Sequence, residues 1–375
     1  MKIKNNTAMR KAIKKQLVTL LYHISMENYA RRMVDGISLD FDQYRDENAF
    51  KRTYKELFKQ LEVVNPYLCK AVSLIYDEDP KNPQMYALAM ELFKHLKILD
   101  PHAIKEDPFL KYIQVREDVS SKNYSYGGVA VHANQCVLYK HDNKEWKDDF
   151  GILEDELVLP ALYHGEDVES SLTLLGMENY HQELEKMKGH VRIFGLHNGY
   201  FVYLVHLKND VDHVTVIEER QEVIDLFYKY ILPQFDHPEK ITVIYGKVAD
   251  HLEGHEDLYF FDHLDTLDQR LPAYLSLKEK SYELKKTMVF HEEDQILEGL
   301  LMIIINELMA CLQDTNESIT QMKVQKNEVD DVTQSFLDEI KITSAAQLTG
   351  VLSIRELKKT VDRYVSKRVK LKKHK

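Results

Sequence analysis

Apolar residues recur at helical spacing through the first quarter of the chain. Ile13, Leu17, Leu21 and Ile24 repeat every three or four positions among lysines and glutamines, and residues 50–61 repeat the same period. Such spacing places the apolar side chains on one face and predicts amphipathic helices. The pattern therefore predicts a helical N-terminal domain over residues 1–118. Substrate recognition, homodimerisation and the covering of a sheet edge all remain open as its role.

The pattern changes near residue 119. Gly127 and Gly128 interrupt the chain, and residues 129–131 and 135–139 form short apolar runs on either side of a His-Ala-Asn sequence. Short apolar runs around turn residues are typical of paired antiparallel strands. Residues 119–150 are therefore predicted to be a β-hairpin that links two domains.

Strand-like and helical segments alternate from Gly189 onward, which predicts parallel strands with helices on both faces of the sheet. The fold class predicted for residues 151–312 is α/β, with a doubly wound, mostly parallel, Rossmann-like sheet. Residues 313–375 are predicted to be a C-terminal helical extension. Ligands of such sheets bind beyond the carboxyl ends of the strands. The predicted strands are Val191–Phe194, Val214–Ile217, Ile241–Tyr245, Leu258–Phe261 and Thr287–Phe290.

Composition is that of a globular protein. The chain has 375 residues, of which 44% are hydrophobic and 30% charged, and this length suggests about two domains. Three widely separated cysteines give no disulfide framework, and the first residues carry no apolar signal core, so a cytoplasmic location is expected. The apolar run Ile296–Leu312 is interrupted by Glu298 and Glu307. It is predicted to be a buried helix, too short to span a bilayer, and no membrane attachment is expected.

The net charge of −11 argues against nonspecific nucleic-acid binding by the molecule as a whole. Basic residues are nevertheless crowded between Arg363 and Lys375. Two interpretations remain open for this tail. It is a solvated helix end, which suits the negative pole of the helix dipole, or it contacts RNA or an acidic partner.

The strongest candidate for chemistry is the turn that begins at Gly195. Gly195 and Gly199 follow a buried strand, and Glu218 ends the next strand about 20 residues further on. Glycines at such a turn let the backbone approach a ligand, and the acidic residue can bind ribose hydroxyls. A dinucleotide motif would require glycine where Tyr200 stands, so a nicotinamide cofactor is not indicated.

These segments resemble class I S-adenosylmethionine-dependent methyltransferases, and within them bacterial spermidine-synthase-like proteins. The resemblance covers about residues 151–290 and rests on the Gly195–Gly199 turn, the sequence VTVIEERQEVIDLF and the sequence DLYFFD. It implies S-adenosylmethionine as the cofactor and transfer of a methyl or aminopropyl group to an unknown acceptor. It also implies roles for single residues: Gly195, His197 and Gly199 in the cofactor turn, Glu218 on the ribose, Lys247 at the adenine end and Asp262 in catalysis.

Three positions depart from the family pattern. Ile193 stands where an acidic residue is usual, His197 replaces the middle glycine, and Lys247 replaces an acidic residue. A lysine ammonium has only donors and accepts no bond from the adenine amine, whereas Asn198 tolerates a left-handed turn. Two functions therefore stay open: a transferase, or a catalytically inactive pseudo-methyltransferase that binds another ligand, such as an anion, or acts as a scaffold.

The sequence His291-Glu292-Glu293-Asp294 follows the fifth strand and contains residue types that bind metals. Consecutive residues point to different sides, so an acidic helix start is favoured and no metal site is predicted.

Overall fold

The computed structural model describes most of the chain after residue 96. The described residues are 1–4, 6–35, 97–112, 119–120, 123–133, 136–142, 147–262, 267–313, 319–321 and 330–373. They form two compact units, of which unit 1 contains Met1–Leu17 and Tyr180–Lys375 and unit 2 contains Val18–Asn179. The helices predicted between residues 36 and 96 lie outside the described residues.

The first half of the chain is richer in strands than predicted. Its described elements are β1 (Lys2–Lys4), α1 (Thr7–Asp35), β2 (Lys97–Leu99), α2 (Pro101–Lys105), α3 (Pro108–Tyr112), β3 (Val119–Ser120), β4 (Tyr124–Val131), β5 (Cys136–Asp142), β6 (Lys147–Leu153), β7 (Leu157–His164), β8 (Asp167–Ser171) and α4 (Leu174–Leu184).

The predicted hairpin is wrong, because β4 and β5 lie in different sheets. In the described residues β4 pairs with β3 and β7, and β5 pairs with β6. The two glycines that suggested a turn lie inside β4. A Cβ added to Gly127 would lie 2.8 Å from the Tyr163 ring, and Tyr163 donates a hydrogen bond to the Gly128 carbonyl at 3.0 Å. Close packing on β7, which no turn signal reveals, explains these glycines.

The second half confirms the predicted α/β fold class. Unit 1 contains a five-stranded, fully parallel sheet in the order β11-β10-β9-β12-β13. Every residue of β12 is buried, as expected for a central strand of a parallel sheet that is covered on both faces. The strands are β9 (Gly189–Phe194), β10 (Val211–Glu218), β11 (Ile241–Tyr245), β12 (Leu258–Phe261) and β13 (Thr287–Phe290).

Helices and turns connect these strands. Every residue of the short helix after β9 is buried, which fixes the start of that helix against the sheet. The predicted helix near Val248 is a 3-10 turn, Val248–His251. The helices are α5 (Tyr200–His206), α6 (Gln221–Leu226), which continues as a π-helical turn (Phe227–Ile231), α7 (Leu267–Leu284) and α8 (Glu293–Gln313).

Helix α8 is the long apolar helix that the sequence predicted. Leu297, Leu300, Leu301 and Ile304 are completely buried, which agrees with a core helix. The argument from length was wrong, because residues Glu293–Leu312 are long and apolar enough to cross a membrane, although half of that stretch is buried in the protein. Core helices of soluble proteins meet the same criterion, so this is weak evidence for a membrane span.

The last elements form a layer that includes the start of the chain. Strand β1 lies between the last two strands in a three-stranded sheet, which is why Met1–Leu17 belongs to unit 1 and not with the predicted N-terminal helical domain. The elements of this layer are β14 (Ile319–Gln321), α9 (Asp331–Glu339), β15 (Lys341–Ile342), α10 (Ala345–Val351) and α11 (Ile354–Lys373).

Candidate functional site

Each strand of the parallel sheet ends in or beside a residue with a possible chemical role. Because the strands are parallel, these residues lie along one edge, which we call the carboxyl edge. The strand order changes direction between β9 and β12, so the switch point lies between Gly195 and Asp262. The residues of the carboxyl edge are Gly195 after β9, Glu218 at the end of β10, Lys247 after β11, Asp262 after β12 and His291 after β13.

The turn after β9 has three residues in the left-handed region. Gly195, His197 and Gly199 have φ values of 100°, 46° and 84°. Asn198 tolerates a left-handed turn, but in the structure His197 and not Asn198 occupies that region. Asn198 is buried, and its Oδ1 accepts a hydrogen bond from the Tyr200 N–H at 3.0 Å. Histidine is one of the non-glycine residues that occupy this region most often.

The His197 ring folds back over the first glycine of the turn. A Cβ added to Gly195 would lie 3.2 Å from His197 Nε2 and 3.5 Å from the Cβ of Asp262. The histidine side chain therefore lies over the Gly195 backbone, beside the switch point. This is the surface that a glycine-rich turn normally offers to a ligand.

Glu218 is buried, and protein donors occupy both of its oxygens. Oε1 accepts bonds from the Arg220 N–H at 3.0 Å and from Arg220 Nε at 2.6 Å. Oε2 accepts bonds from the Leu196 N–H at 3.0 Å and from Arg220 Nη2 at 2.9 Å. Burial by itself would raise the pKa of Glu218, but the bonds and charge of Arg220 and the Leu196 N–H together lower it.

Lys247 lies on the exposed side of the carboxyl edge. It precedes the 3-10 turn Val248–His251, and the N–H of its neighbour Gly246 donates to the Glu218 carbonyl at 3.0 Å. Lys247 and Tyr245 are both exposed, and the Tyr245 side chain is 63% exposed. The structure therefore places Lys247 beside Glu218 along the backbone, and its side chain has no acceptor for an adenine amine.

Asp262 is buried at the switch point and is bonded to a tyrosine that the sequence analysis missed. The Asp262 N–H donates to the Phe194 carbonyl at 3.0 Å, and its Oδ1 accepts a bond from the Tyr180 hydroxyl at 2.6 Å. Burial and the charge of Asp262 raise the pKa of Tyr180 well above its usual value. Tyr180 therefore remains a hydrogen-bond donor to this carboxylate at neutral pH.

A second polar pair lies next to this one. Glu183 Oε2 lies 2.8 Å from His291 Nδ1, and Glu183 Oε1 accepts a bond from the Glu292 N–H at 3.1 Å. The Tyr180 and His291 rings stack with centroids 4.1 Å apart. Burial lowers the pKa of His291 and the contact with Glu183 raises it, and the net effect is an increase. The pKa of Glu183 is also raised, because the effect of burial exceeds the opposite effect of His291.

One face of helix α4 supplies a member of each of these two pairs. Tyr180 and Glu183 are three residues apart in α4 and contact the ends of two neighbouring strands. This spacing is visible in the sequence, but the partners of the two residues, Asp262 and His291, lie more than eighty residues further along.

Glu293 and Asp294 lie in the first turn of α8, so that part of the sequence is an acidic helix start. The described residues contain no cluster of three or more metal-ligating side chains.

The carboxyl edge does not fit S-adenosylmethionine in this arrangement. A carboxylate offers about four acceptor positions, and Glu218 already has four donors, so none remains for ribose hydroxyls. The His197 ring covers the Gly195 backbone, and Lys247 has no acceptor for the adenine amine. The residues that the resemblance assigned to the cofactor lie along one edge of the sheet, but side chains of the protein itself occupy the places where the cofactor would bind.

Comparisons with known proteins support only the coarse level of the resemblance. No protein-family model matches the chain, and no curated protein matches it. Solved structures with similarity include a spermidine synthase from Thermotoga maritima, at 13% identity and a TM-score of 0.26, which covers 48% of this chain and 64% of that chain. A spermidine synthase in complex with the transition-state analogue AdoDATO matches at 13% identity and a TM-score of 0.27, covering 48% and 65%. The chain thus spans just under two thirds of these proteins, and a likeness this weak carries no argument about function.

Proposed function

We propose that this chain is a methyltransferase-fold protein whose carboxyl edge is closed to the cofactor by its own side chains, and that it acts as a ligand-binding or scaffold protein. The observation that carries this proposal is the saturation of Glu218. Arg220 holds both carboxylate oxygens with its guanidinium, at 2.6 and 2.9 Å, in addition to the two backbone donors.

The energies involved support a closed site. A hydrogen bond to a charged group contributes about 1.5–3 kcal/mol, so displacing both Arg220 bonds costs about 3–6 kcal/mol. With about 1.4 kcal/mol per tenfold in affinity, this weakens ribose binding by two orders of magnitude or more. The ring of His197 over Gly195 adds a steric cost to the same ligand.

The second candidate is a transferase that uses S-adenosylmethionine, or a decarboxylated relative of it, and moves a methyl or aminopropyl group to an unknown acceptor. The pairing of Asp262 with Tyr180 at the switch point favours it, because a carboxylate there is placed to take a proton from an acceptor. On this candidate the Arg220 guanidinium leaves Glu218 when the cofactor arrives.

Calorimetry with S-adenosylmethionine and S-adenosylhomocysteine separates the two candidates. The proteins to compare are the unmodified chain, Glu218→Gln, the opened variant Arg220→Ala/His197→Gly and, as a matched control, the triple variant Arg220→Ala/His197→Gly/Glu218→Gln. If the site is closed, the unmodified chain gives no heat at millimolar ligand, and the opened variant binds while the triple variant does not.

Micromolar binding by the unmodified chain, abolished by Glu218→Gln, would exclude a closed site and favour the transferase candidate. Absence of binding in every variant would exclude both S-adenosylmethionine and the proposal that Arg220 and His197 are what prevents its binding.

A further inference from the structure

Helix α11 has one face in the protein core and another in solvent. Leu357, Val361, Val365 and Val369 are at most 6% exposed. This apolar face is therefore already used inside unit 1. The helix is consequently not available to lie in a membrane surface, which requires a free apolar face.

The solvent face of α11 carries a row of cations, which we call the basic stripe. Its members follow each other at three- or four-residue intervals, so they lie about 6 Å apart and extend over about 22 Å of the helix. All of them are exposed. The members of the basic stripe are Arg355, Lys359, Arg363, Lys367 and Lys370.

The basic stripe differs from the other cations of the helix in its pairing. Lys358 pairs with Glu293, while Arg368 and Lys372 pair with Glu279, so these three hold the helix to α7 and α8. In the stripe, Lys359 pairs with Glu356 and Lys367 with Glu339.

The other three cations of the stripe are Arg355, Arg363 and Lys370, and they form no ion pair with any described residue. The guanidinium of Arg363 donates instead to the Lys359 carbonyl at 3.2 Å and to the Thr360 hydroxyl at 3.0 Å. Both contacts lie within the helix, and Arg355 and Arg363 act on the neighbouring Glu356 carboxylate only through their charge, which helps Lys359 to lower the pKa of that carboxylate.

An aromatic residue lies beside the basic stripe. A pocket of about 510 Å³ is lined by Tyr282 of α7 and, from α11, by Asp362, Arg363, Ser366, Lys367, Lys370 and Leu371. The carboxylate of Asp362 is paired with Lys278 at 3.2 Å. The side chains of Tyr282 and Leu371 are 37% and 56% exposed. The surface therefore combines a row of cations with an accessible aromatic ring and an apolar side chain.

We propose that the basic stripe and Tyr282 bind single-stranded RNA. Proteins that bind single strands combine a cationic track for the phosphates with aromatic rings on which bases stack. An acidic protein would use the cations but not the aromatic pocket, so the pocket favours a nucleic acid. The net charge of −11 argues against nonspecific binding by the molecule as a whole, so binding requires a local concentration of cations such as the basic stripe.

Fluorescence anisotropy with a labelled 20-nucleotide uridine strand tests the proposal. The full-length chain is compared with the triple variant Arg355→Gln/Arg363→Gln/Lys370→Gln and with a matched control, Lys4→Gln/Lys11→Gln/Lys14→Gln, whose three lysines are also exposed in unit 1. The stripe variant is expected to bind about 10- to 100-fold more weakly. The slope of the logarithm of the binding constant against the logarithm of the salt concentration should be shallower by about 2, because each phosphate contact on a single strand contributes about 0.7 to this slope. Tyr282→Leu is expected to weaken binding by about 5- to 100-fold through lost stacking.

Three results would overturn the proposal. One is absence of salt-dependent binding by the unmodified chain at low ionic strength. Another is an equal loss in the stripe and control variants. The third is equally tight binding of poly-glutamate with no effect of Tyr282→Leu, which would assign the surface to an acidic protein. Circular dichroism verifies that each variant is folded, as expected for exposed positions.

Discussion

The carboxyl edge and the basic stripe are both rich in charge, but they use it in opposite ways. At the carboxyl edge, Lys247 is exposed, but the carboxylates are buried and bonded, as Glu218 is to Arg220 and Glu183 to His291. In the basic stripe, Arg355, Arg363 and Lys370 are exposed and form no ion pair with a described residue.

The difference teaches which charges are available to a ligand. A buried carboxylate with four donors is part of the folded structure, and a ligand has to displace those donors before it binds. An exposed cation without a carboxylate partner attracts an anion at little cost. A charged residue in a motif is therefore a candidate for binding only after its partners within the protein are known.

Arg220→Ala should give the largest loss of stability, about 3 kcal/mol at neutral pH, because it leaves Glu218 buried without its cation. Since the folded-state pKa of Glu218 is lowered, the contribution of the pair is present above the unfolded pKa and is lost as pH falls through the folded pKa. Urea denaturation at several pH values measures both effects. The matched change in the basic stripe, Arg363→Ala, should alter stability by no more than about 0.5 kcal/mol. Equal losses in the two variants would remove the contrast between the two regions.

His291→Gln should cost about 2 kcal/mol at a pH where Glu183 is ionised and His291 is protonated, because it removes the charge-assisted bond between them. The folded-state pKa of His291 is raised, so the stabilisation from its protonation is lost as pH rises through that value. The folded-state pKa of Glu183 is also raised, so the charge-assisted bond is lost as pH falls through that value and the carboxyl becomes protonated. The stability difference between the unmodified chain and the variant should therefore be largest between the two pKa values and shrink on either side.

A double-mutant cycle with Glu183→Gln provides the control for this pair. The two substitutions should be non-additive at pH values between the two folded-state pKa values and closer to additive above and below them. Additivity over the whole pH range would show that the two side chains are not coupled.

Tyr180→Phe should cost about 1.5 kcal/mol, because Asp262 loses a hydrogen bond while the stacking on His291 is retained. Thermal unfolding monitored by circular dichroism measures the change. Removal of the hydroxyl at Tyr282, beside the basic stripe, should be close to neutral. Unchanged thermal stability of Tyr180→Phe would mean that the hydrogen bond to Asp262 contributes nothing to stability.

The stripe variant Arg355→Gln/Arg363→Gln/Lys370→Gln should have the smallest effect on folding, within about 0.5 kcal/mol, since surface charges of this kind contribute little. Differential scanning calorimetry should give nearly the same melting temperature for this variant and for Lys4→Gln/Lys11→Gln/Lys14→Gln. A large loss in the stripe variant alone would mean that these cations stabilise the fold and are not reserved for a partner.

Local pattern explains how much of this could be predicted. The five parallel strands were predicted because central strands such as β12 are continuously apolar, a property that the sequence displays directly. The glycines of β4 suggested a turn because their packing against Tyr163 depends on a strand more than thirty residues away. Arg220 was missed although it follows Glu218 by two residues, because its bond to Glu218 depends on the direction in which the turn after β10 points the side chain.

The sequence by itself determined, between residues 189 and 290, the order of the five strands, their parallel pairing and the positions of Gly195, Glu218, Lys247 and Asp262 along one edge. These follow from periodicity and from the rule that parallel strands end at the same edge. The tertiary structure alone decided which charges are satisfied. Glu218 is bonded to Arg220 and Asp262 to Tyr180, whereas the row of cations on α11 is exposed. The physical reason is that burial and pairing depend on neighbours brought together by folding, and a charge has very different energies with and without a partner.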